Sequence, residues 1–279
     1  MAKSFVPYFF RGEKGKKRLK LIIGIAAAVL LAVIFILLTV PKERIYDAPE
    51  VKTLESRGVL RVGIRADMPG FSQGETGFEV ELANRLAEFV LKNSEVSSVK
   101  LVEVTAQSAV TKLDDGTIDV AISMMQKDEY AKYAYSDAYY DDEISFFADR
   151  VSVSSSIDEM LVGYIQSSAC EDAFNSLNKN REDNGEPKIE GRAFASYPDM
   201  LFALKRDRVQ AVLLNGAYYK RYGEEYGLIK VGEPIGTVSY AAAVSTDSPA
   251  IAQLASIMFA EMRESGEMDR LKRLYGIGE

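Results

Sequence analysis

Hydrophobic and polar positions divide the chain into unlike stretches. Residues 21–40 read LIIGIAAAVLLAVIFILLTV, an apolar run with no charge. Residues 41–57 are polar, contain two prolines and read as a tether with a helical turn near Lys52–Ser56. In GVLRVGIRA (58–66), Val59, Arg61, Gly63 and Arg65 alternate with Leu60, Val62 and Ile64, which predicts a strand with one apolar face. Gly77 then opens a helix to about Leu91, with Phe78, Leu82, Leu86 and Phe89 on one face. A strand follows at Val99–Val104, and the chain closes with amphipathic segments at Pro249–Met262 and Met268–Tyr275.

One pattern occurs twice. Leu113 to Ile122 (LDDGTIDVAI) matches Leu204 to Leu213 (LKRDRVQAVL), each a helix end, a polar turn and a buried strand. Two strand–helix halves predict two α/β lobes rather than one long sheet.

Charge sharpens the division. Residues 1–20 hold seven Lys/Arg and one acid, Glu13, for a net +6; residues 41–279 hold 27 basic and 40 acidic groups, for −13. An acidic body repels phosphates, so no nucleic-acid partner is expected. The apolar run, at 1.5 Å per residue, spans about 30 Å, a bilayer core. The basic head before it predicts a single-pass anchor with residues 1–20 cytoplasmic and 41–279 extracellular or periplasmic. A cleaved signal peptide is the rival, with a shorter apolar region and a small-x-small site. No cysteine stands directly after the run, which excludes a lipoprotein anchor.

The chain has no histidine, one cysteine (Cys170) and no tryptophan. That excludes His-based triads and dyads, His-ligated zinc and an internal disulfide. No phosphate-binding glycine motif occurs, and neither a cofactor nor a metal is expected. Asp114–Asp115 and Asp141–Glu143 read as solvated turns. The tyrosines at 130, 133, 135, 139 and 140 divide between a cleft mouth and packing, and Tyr218, Tyr219, Tyr222 and Tyr226 read as half-buried helix surface. Cys170 reads as a buried thiol, with a helix-N-terminal low-pKa thiol as the alternative.

Five blocks then carry a resemblance: GVLRVGIRADMPGF (58–71), GFEVELANRLAEFV (77–90), TIDVAISMM (117–125), YSDAYYDDEISFF (135–147) and DMLFALKRDRVQAVLLN (199–215). Their order resembles the extracellular solute-binding proteins of ABC transporters, of the polar amino-acid receptor type. The resemblance implies an α/β, two-lobed, type II periplasmic-binding-protein-like fold with two crossing strands, here preceded by one transmembrane helix. It implies lobe 1 from residues 58–140 and 240–279, lobe 2 from 141–239, a small polar solute between them, and an ABC permease as partner.

The resemblance places the ligand positions at Asp67, Phe71, Gln126 and Glu129 in lobe 1, and at Ser168 and Asn215 in lobe 2. Several depart from the family. Glu129 stands where the family has a carboxylate-clamping arginine, Gln126 where it has a threonine, Asn215 where an aspartate holds the ammonium, and Met68 where an aromatic stacks. A slip in the count would bring Lys127 or Lys132 to the clamp. Arg to Glu removes a charge-assisted fork and adds repulsion. With no cation assigned to the cleft, free carboxylates are expected to be disfavoured against amines or neutral polar solutes. Two other functions stay open: a degenerate module acting as sensor or envelope scaffold, and an enzyme on this fold, as in the cyclohexadienyl dehydratases. The second also needs a carboxylate site.

Overall fold

The computed structural model describes residues 42–92, 94, 98–127, 130, 132–149 and 156–277. The apolar run 21–40 and Glu129 therefore lie outside the described residues. No helix among the described residues is long and apolar enough to cross a membrane. Lys42–Tyr46 forms a short helix in a unit that ends at Asp47, and the body is a second unit that begins at Ala48.

The helical turn expected near Lys52–Ser56 lies within a longer helix, α1 (Pro49–Arg57). Its Val51 and Leu54, three apart, are buried, and Gly58 ends it in the left-handed conformation. Strand β1 (Val59–Ile64) follows, then α2 (Phe78–Val90), β2 (Ser98–Glu103), α3 (Ala106–Asp114) and β3 (Val120–Ala121). Thr105 and Ser108 close a capping box at the start of α3. β1 pairs in parallel with β2 and with β3, as strand–helix–strand units require.

The second half repeats the scheme. β5 (Val162–Ile165), α4 (Ala169–Asp183), β6 (Gly191–Phe194), α5 (Tyr197–Lys205), β7 (Ala211–Asn215) and α6 (Gly216–Tyr226) alternate, with β5 parallel to β6 and to β7. The twin pattern falls once in each half, as α3–turn–β3 and α5–turn–β7.

Two long strands join the halves: β4 (Tyr133–Ala148, 16 residues) and β8 (Ile229–Ser245, 17 residues). They pair antiparallel, with Tyr140 opposite Tyr240 and Asp141 opposite Ser239. At one end of this ribbon β8 takes β3 through Ala121 and Ala243; at the other, β4 takes β7 through Ile144–Ala148. Hydrogen bonding is thus continuous through eight strands, in the order β2-β1-β3-β8-β4-β7-β5-β6. The two expected lobes stand, and only the expected separation of their sheets is corrected. Each crossing strand is long enough to serve both lobes, so the two sheets share a ladder.

The halves nevertheless gather separate apolar clusters. One includes Val104, Ala109, Leu113, Ile118, Ala121 and Ala243; the other includes Phe147, Met200, Leu201, Leu204, Val212 and Leu214. Register shifts between Tyr135 and Tyr140 and again between Ile144 and Phe146 bracket the evenly paired stretch Tyr140–Ile144. Bulges of this kind bend a ribbon locally. Helices α7 (Pro249–Glu264) and α8 (Glu267–Leu274) return to the first half, where α7 packs on α2 and β4, burying Ile251, Leu254 and Phe259.

Candidate functional site in the cleft between the lobes

In parallel α/β sheets, loops at the carboxyl ends of strands form the binding crevice. Here the loop after β1 meets the first turns of α6, the helix after β7, across the ribbon. The meeting point is Arg65, the residue after β1. Its guanidinium forks onto Asp67, Nε to Oδ1 at 2.9 Å and Nη2 to Oδ2 at 3.0 Å. Its Nη1 donates to the Tyr218 hydroxyl in the first turn of α6 at 2.8 Å. Arg221, one turn further along α6, reaches Asp67 Oδ2 at 3.4 Å. Tyr197 at the start of α5 stacks on the Tyr218 ring with centroids 3.9 Å apart. Burial acts against the Arg65 charge, but Asp67 and Tyr218 outweigh it and raise its pKa. Burial also opposes ionisation of Asp67, and the Arg65 hydrogen bonds overcome it, holding the carboxyl below its usual range.

This geometry corrects the expectation that the cleft lacks a cation. Among the described residues, Arg65 and Arg221 stand there. Alternation along 58–66 assigned Arg65 to the polar face of a strand, but β1 ends at Ile64. The next residue is free to turn toward the other half.

Of the residues the sequence singled out, Asp67 lies in this group. Phe71 is 1% exposed and packs edge-on against Tyr140, centroids 5.0 Å apart, beneath the cleft rather than at its surface. Gln126 forms a backbone bridge to Tyr240 on the crossing ribbon. Asn215 caps α6, accepting from the Tyr218 N–H at 3.2 Å and donating to the Tyr240 hydroxyl at 2.7 Å. Ser168 caps α4 and donates to the Ile165 carbonyl at 2.6 Å. The neighbouring Ser167 N–H donates to the chain's own Glu171 carboxylate at 2.6 Å. Lys132 lies away from the cleft on Asp114 at 2.7 Å, and Lys127 sits 3.5 Å from Asp137.

Several residues at the site were not found by sequence reasoning. Asp142, read as part of a solvated turn, is buried on β4. It accepts from the Gly216 and Ala217 N–H groups at 2.9 and 3.1 Å and from the Tyr240 hydroxyl at 3.2 Å. Burial pushes its pKa up to about 6 against those hydrogen bonds. A Cβ on Gly216 would stand 2.6 Å from the Asp142 carboxylate, so the contact needs glycine there. By contrast, Glu143 reaches Lys230 at the surface and fits the solvated reading. Cys170 is buried, and burial raises its thiol to about 12, which leaves it unreactive.

The loop that carries Asp67 is fixed from behind. Met68 and Ser72 exchange backbone hydrogen bonds, and the first N–H groups of α2 donate to Gly70 and Phe71 carbonyls. Glu79 is completely buried and accepts from Ser72 Oγ, the Met124 N–H and the Tyr139 hydroxyl. It ties the Asp67 loop to the segment after β3. Burial raises its pKa to about 7, despite those three donors. Lys220 of α6 donates to the carbonyls of Tyr275 and Gly276 at 2.8 and 2.6 Å, a further bond between the halves. A cavity of about 500 Å³ on the outer side of the first half, lined by residues including Arg57, Arg61 and Asp119, shares no residue with this group.

Comparisons with known proteins agree with the geometry. The model of the bacterial extracellular solute-binding proteins, family 3, matches residues 60–278. A glutamine-binding protein of Geobacillus stearothermophilus is 25% identical over 175 residues, which is 60% of this chain and 64% of that protein's length. Among solved structures, an amino acid ABC transporter substrate-binding protein from Streptococcus pneumoniae bound to L-arginine superposes with a TM-score of 0.61 at 15% identity, covering 83% of this chain and all of that one. The ancestral amino acid-binding protein AncCDT-1, a precursor of cyclohexadienyl dehydratase, gives 0.60 at 19% identity, covering 81% and 98%. The structural likenesses bear on the fold, while the family match spans most of the body. The chain belongs to family 3 of the bacterial extracellular solute-binding proteins.

Proposed function

We propose that this protein captures a small polar solute of the amino-acid class between its lobes and delivers it to an ABC permease. Residues 21–40 serve as a retained single-pass anchor, with 1–20 in the cytoplasm and the binding body extracellular or periplasmic. Lobe 1 comprises 58–140 and 240–279, and lobe 2 comprises 141–239. The observation that carries this reading is the contact of Arg65 and Asp67 with Tyr218 and Arg221 across the ribbon. Those contacts join charged groups from both halves, as closure around a solute requires. The relatives support the amino-acid class, since one is described as glutamine-binding and another holds L-arginine. We assign no enzymatic step. Even the neighbour described as a dehydratase precursor is named an amino acid-binding protein.

A second reading, a sensor or envelope scaffold without transport, is favoured by one observation. Asp67, Asn215, Ser168 and Asp142 all have protein partners already. A thermal-shift screen of the detergent-solubilised protein with amino acids, amines and sugars separates the two. A cleft ligand at a hundred times its Kd adds about 2.7 kcal/mol. A screen in which no solute raises the melting temperature rejects solute capture in favour of the scaffold.

A further inference from the structure

The Arg65–Asp67 pair is unevenly buried. The Arg65 side chain is 13% exposed and its partner carboxylate 49% exposed. The cation is built into the fold, while its counter-ion stands at the mouth, two residues along the same loop. The edge of Arg65 that Asp67 occupies, Nε with Nη2, is the edge that recognises any carboxylate as a fork. A solute's carboxylate can take that edge without rearranging Arg65, which Tyr218 holds from Nη1. Displaced, Asp67 keeps Arg221 beside it and gains a free face for an ammonium.

Other head-group positions are committed elsewhere. The Asn215 amide is held at both ends, and the Ser167 N–H is taken by Glu171. Charge around the group favours a solute that brings no net positive charge. Arg65 stands at the end of β1, Arg221 and Lys220 lie on α6, and Lys272 lies over the Tyr140 ring at 5.3 Å. Against them stand Asp67 and the two buried carboxyls, Asp142 and Glu79, whose partners are α6 N–H groups and internal hydroxyl and amide donors.

Resting on the solute-binding reading, we propose that Arg65 and Asp67 are the head-group clamp of the cleft: an α-amino acid with a neutral or acidic side chain exchanges one internal ion pair for two, its carboxylate on Arg65 and its ammonium on Asp67. Cationic amino acids such as arginine are excluded by the surrounding positive charge. The exchange conserves the charge of the site, so only fork geometry and the side-chain pocket decide affinity.

Calorimetry on the full-length protein in detergent tests this. The panel is neutral, acidic and cationic L-amino acids, each best binder's amide (no carboxylate) and its deaminated acid (no ammonium). Wild type should bind a neutral or acidic amino acid and bind both edited analogues on the order of a hundredfold more weakly. Arg65→Gln and Asp67→Asn should each lose affinity to a similar degree, with melting temperatures confirming that both fold. Arg65→Lys, which keeps the charge but not the fork, should fall between. Should Arg65→Gln fail to fold, Asp67→Asn and the edited analogues carry the test alone. Unchanged binding by a folded Arg65 or Asp67 variant, equal binding of the edited analogues, or preference for arginine overturns the clamp and leaves solute binding standing. A wild type that takes only a sugar or an amine likewise overturns the clamp alone. A wild type that takes no solute overturns both.

Discussion

Replacing Glu79 by Gln should make the protein more stable in mildly alkaline solution and change little in mild acid. Glu79 has no exposure and accepts from Ser72, Met124 and Tyr139. Burial still raises its pKa from 4.5 to about 7. A carboxyl raised on folding binds its proton more tightly in the native state. Its contribution is fully present below pH 4.5 and is lost as pH climbs through 7. The whole shift corresponds to about 3 kcal/mol, of which about 2.5 kcal/mol falls between pH 5 and 8. Glutamine copies the protonated acid: its oxygen accepts from Met124 and Tyr139, and its amide donates to the Ser72 hydroxyl, which can rotate. Urea unfolding of wild type and Glu79→Gln at half-unit steps from pH 5 to 8 reads the difference. The two midpoints should lie closest at pH 5, separate steadily from there to about pH 7 and then run nearly parallel, the variant being the more resistant at the alkaline end. Parallel midpoints across the range would refute a burial-raised Glu79.

Asp142→Asn should flatten the part of the stability profile between about pH 4 and pH 6, because burial raises the Asp142 pKa in the same sense; the same urea series measures it. Gly77→Ala should cost about 3 kcal/mol or more. Gly77 sits at φ +133°, and an added Cβ would stand 2.3 Å from the Phe71 carbonyl oxygen, so a large drop in melting temperature is expected. Protease added to intact cells should release an acidic fragment of the body, whereas mature protein beginning near residue 41 by N-terminal sequencing would defeat the retained anchor.

Much of the fold was legible because it is written in local periods. Leu60, Val62 and Ile64 alternate, the apolar stripe of α2 repeats at helical spacing, and the twin helix–turn–strand pattern marks both halves. The two crossing strands came only from the family resemblance, since nothing local in 133–148 or 229–245 says that both strands serve two sheets. Arg65 was missed because strand alternation gives a face but not the residue at which the strand stops. Pro69, Gly70, Gly74 and Gly77 close behind it were the available sign of a chain reversal. Asp142 was missed because adjacent acids are usually solvated, yet Ile144, Phe146 and Phe147 just after it announce a strand that runs on through. Glu79 sits beside Leu82 and Ala83 on the apolar face of α2, a buried acid visible in the helical spacing. Tyr197 and Tyr240 reach the site from distant segments, and no short-range pattern locates them.

The late return of β8 to β3 orders the birth of the molecule. A chain emerging from its N-terminus delivers β1, α2, β2 and β3 first, but β3 finds its other neighbour only when Ala243 arrives, 122 residues after Ala121. The apolar face of α2 and the Tyr139 ring wait longer still, for Phe259 and the rest of α7. Meanwhile β5, β6, β7 and their helices, a contiguous stretch, can assemble as soon as they appear. The inserted half therefore matures before the half that encloses it. Closing so long a loop is entropically costly and slow. Until the last 40 or so residues clear the exit, the first half carries exposed apolar surface and an unpaired strand edge, the condition in which nascent chains aggregate or recruit a chaperone.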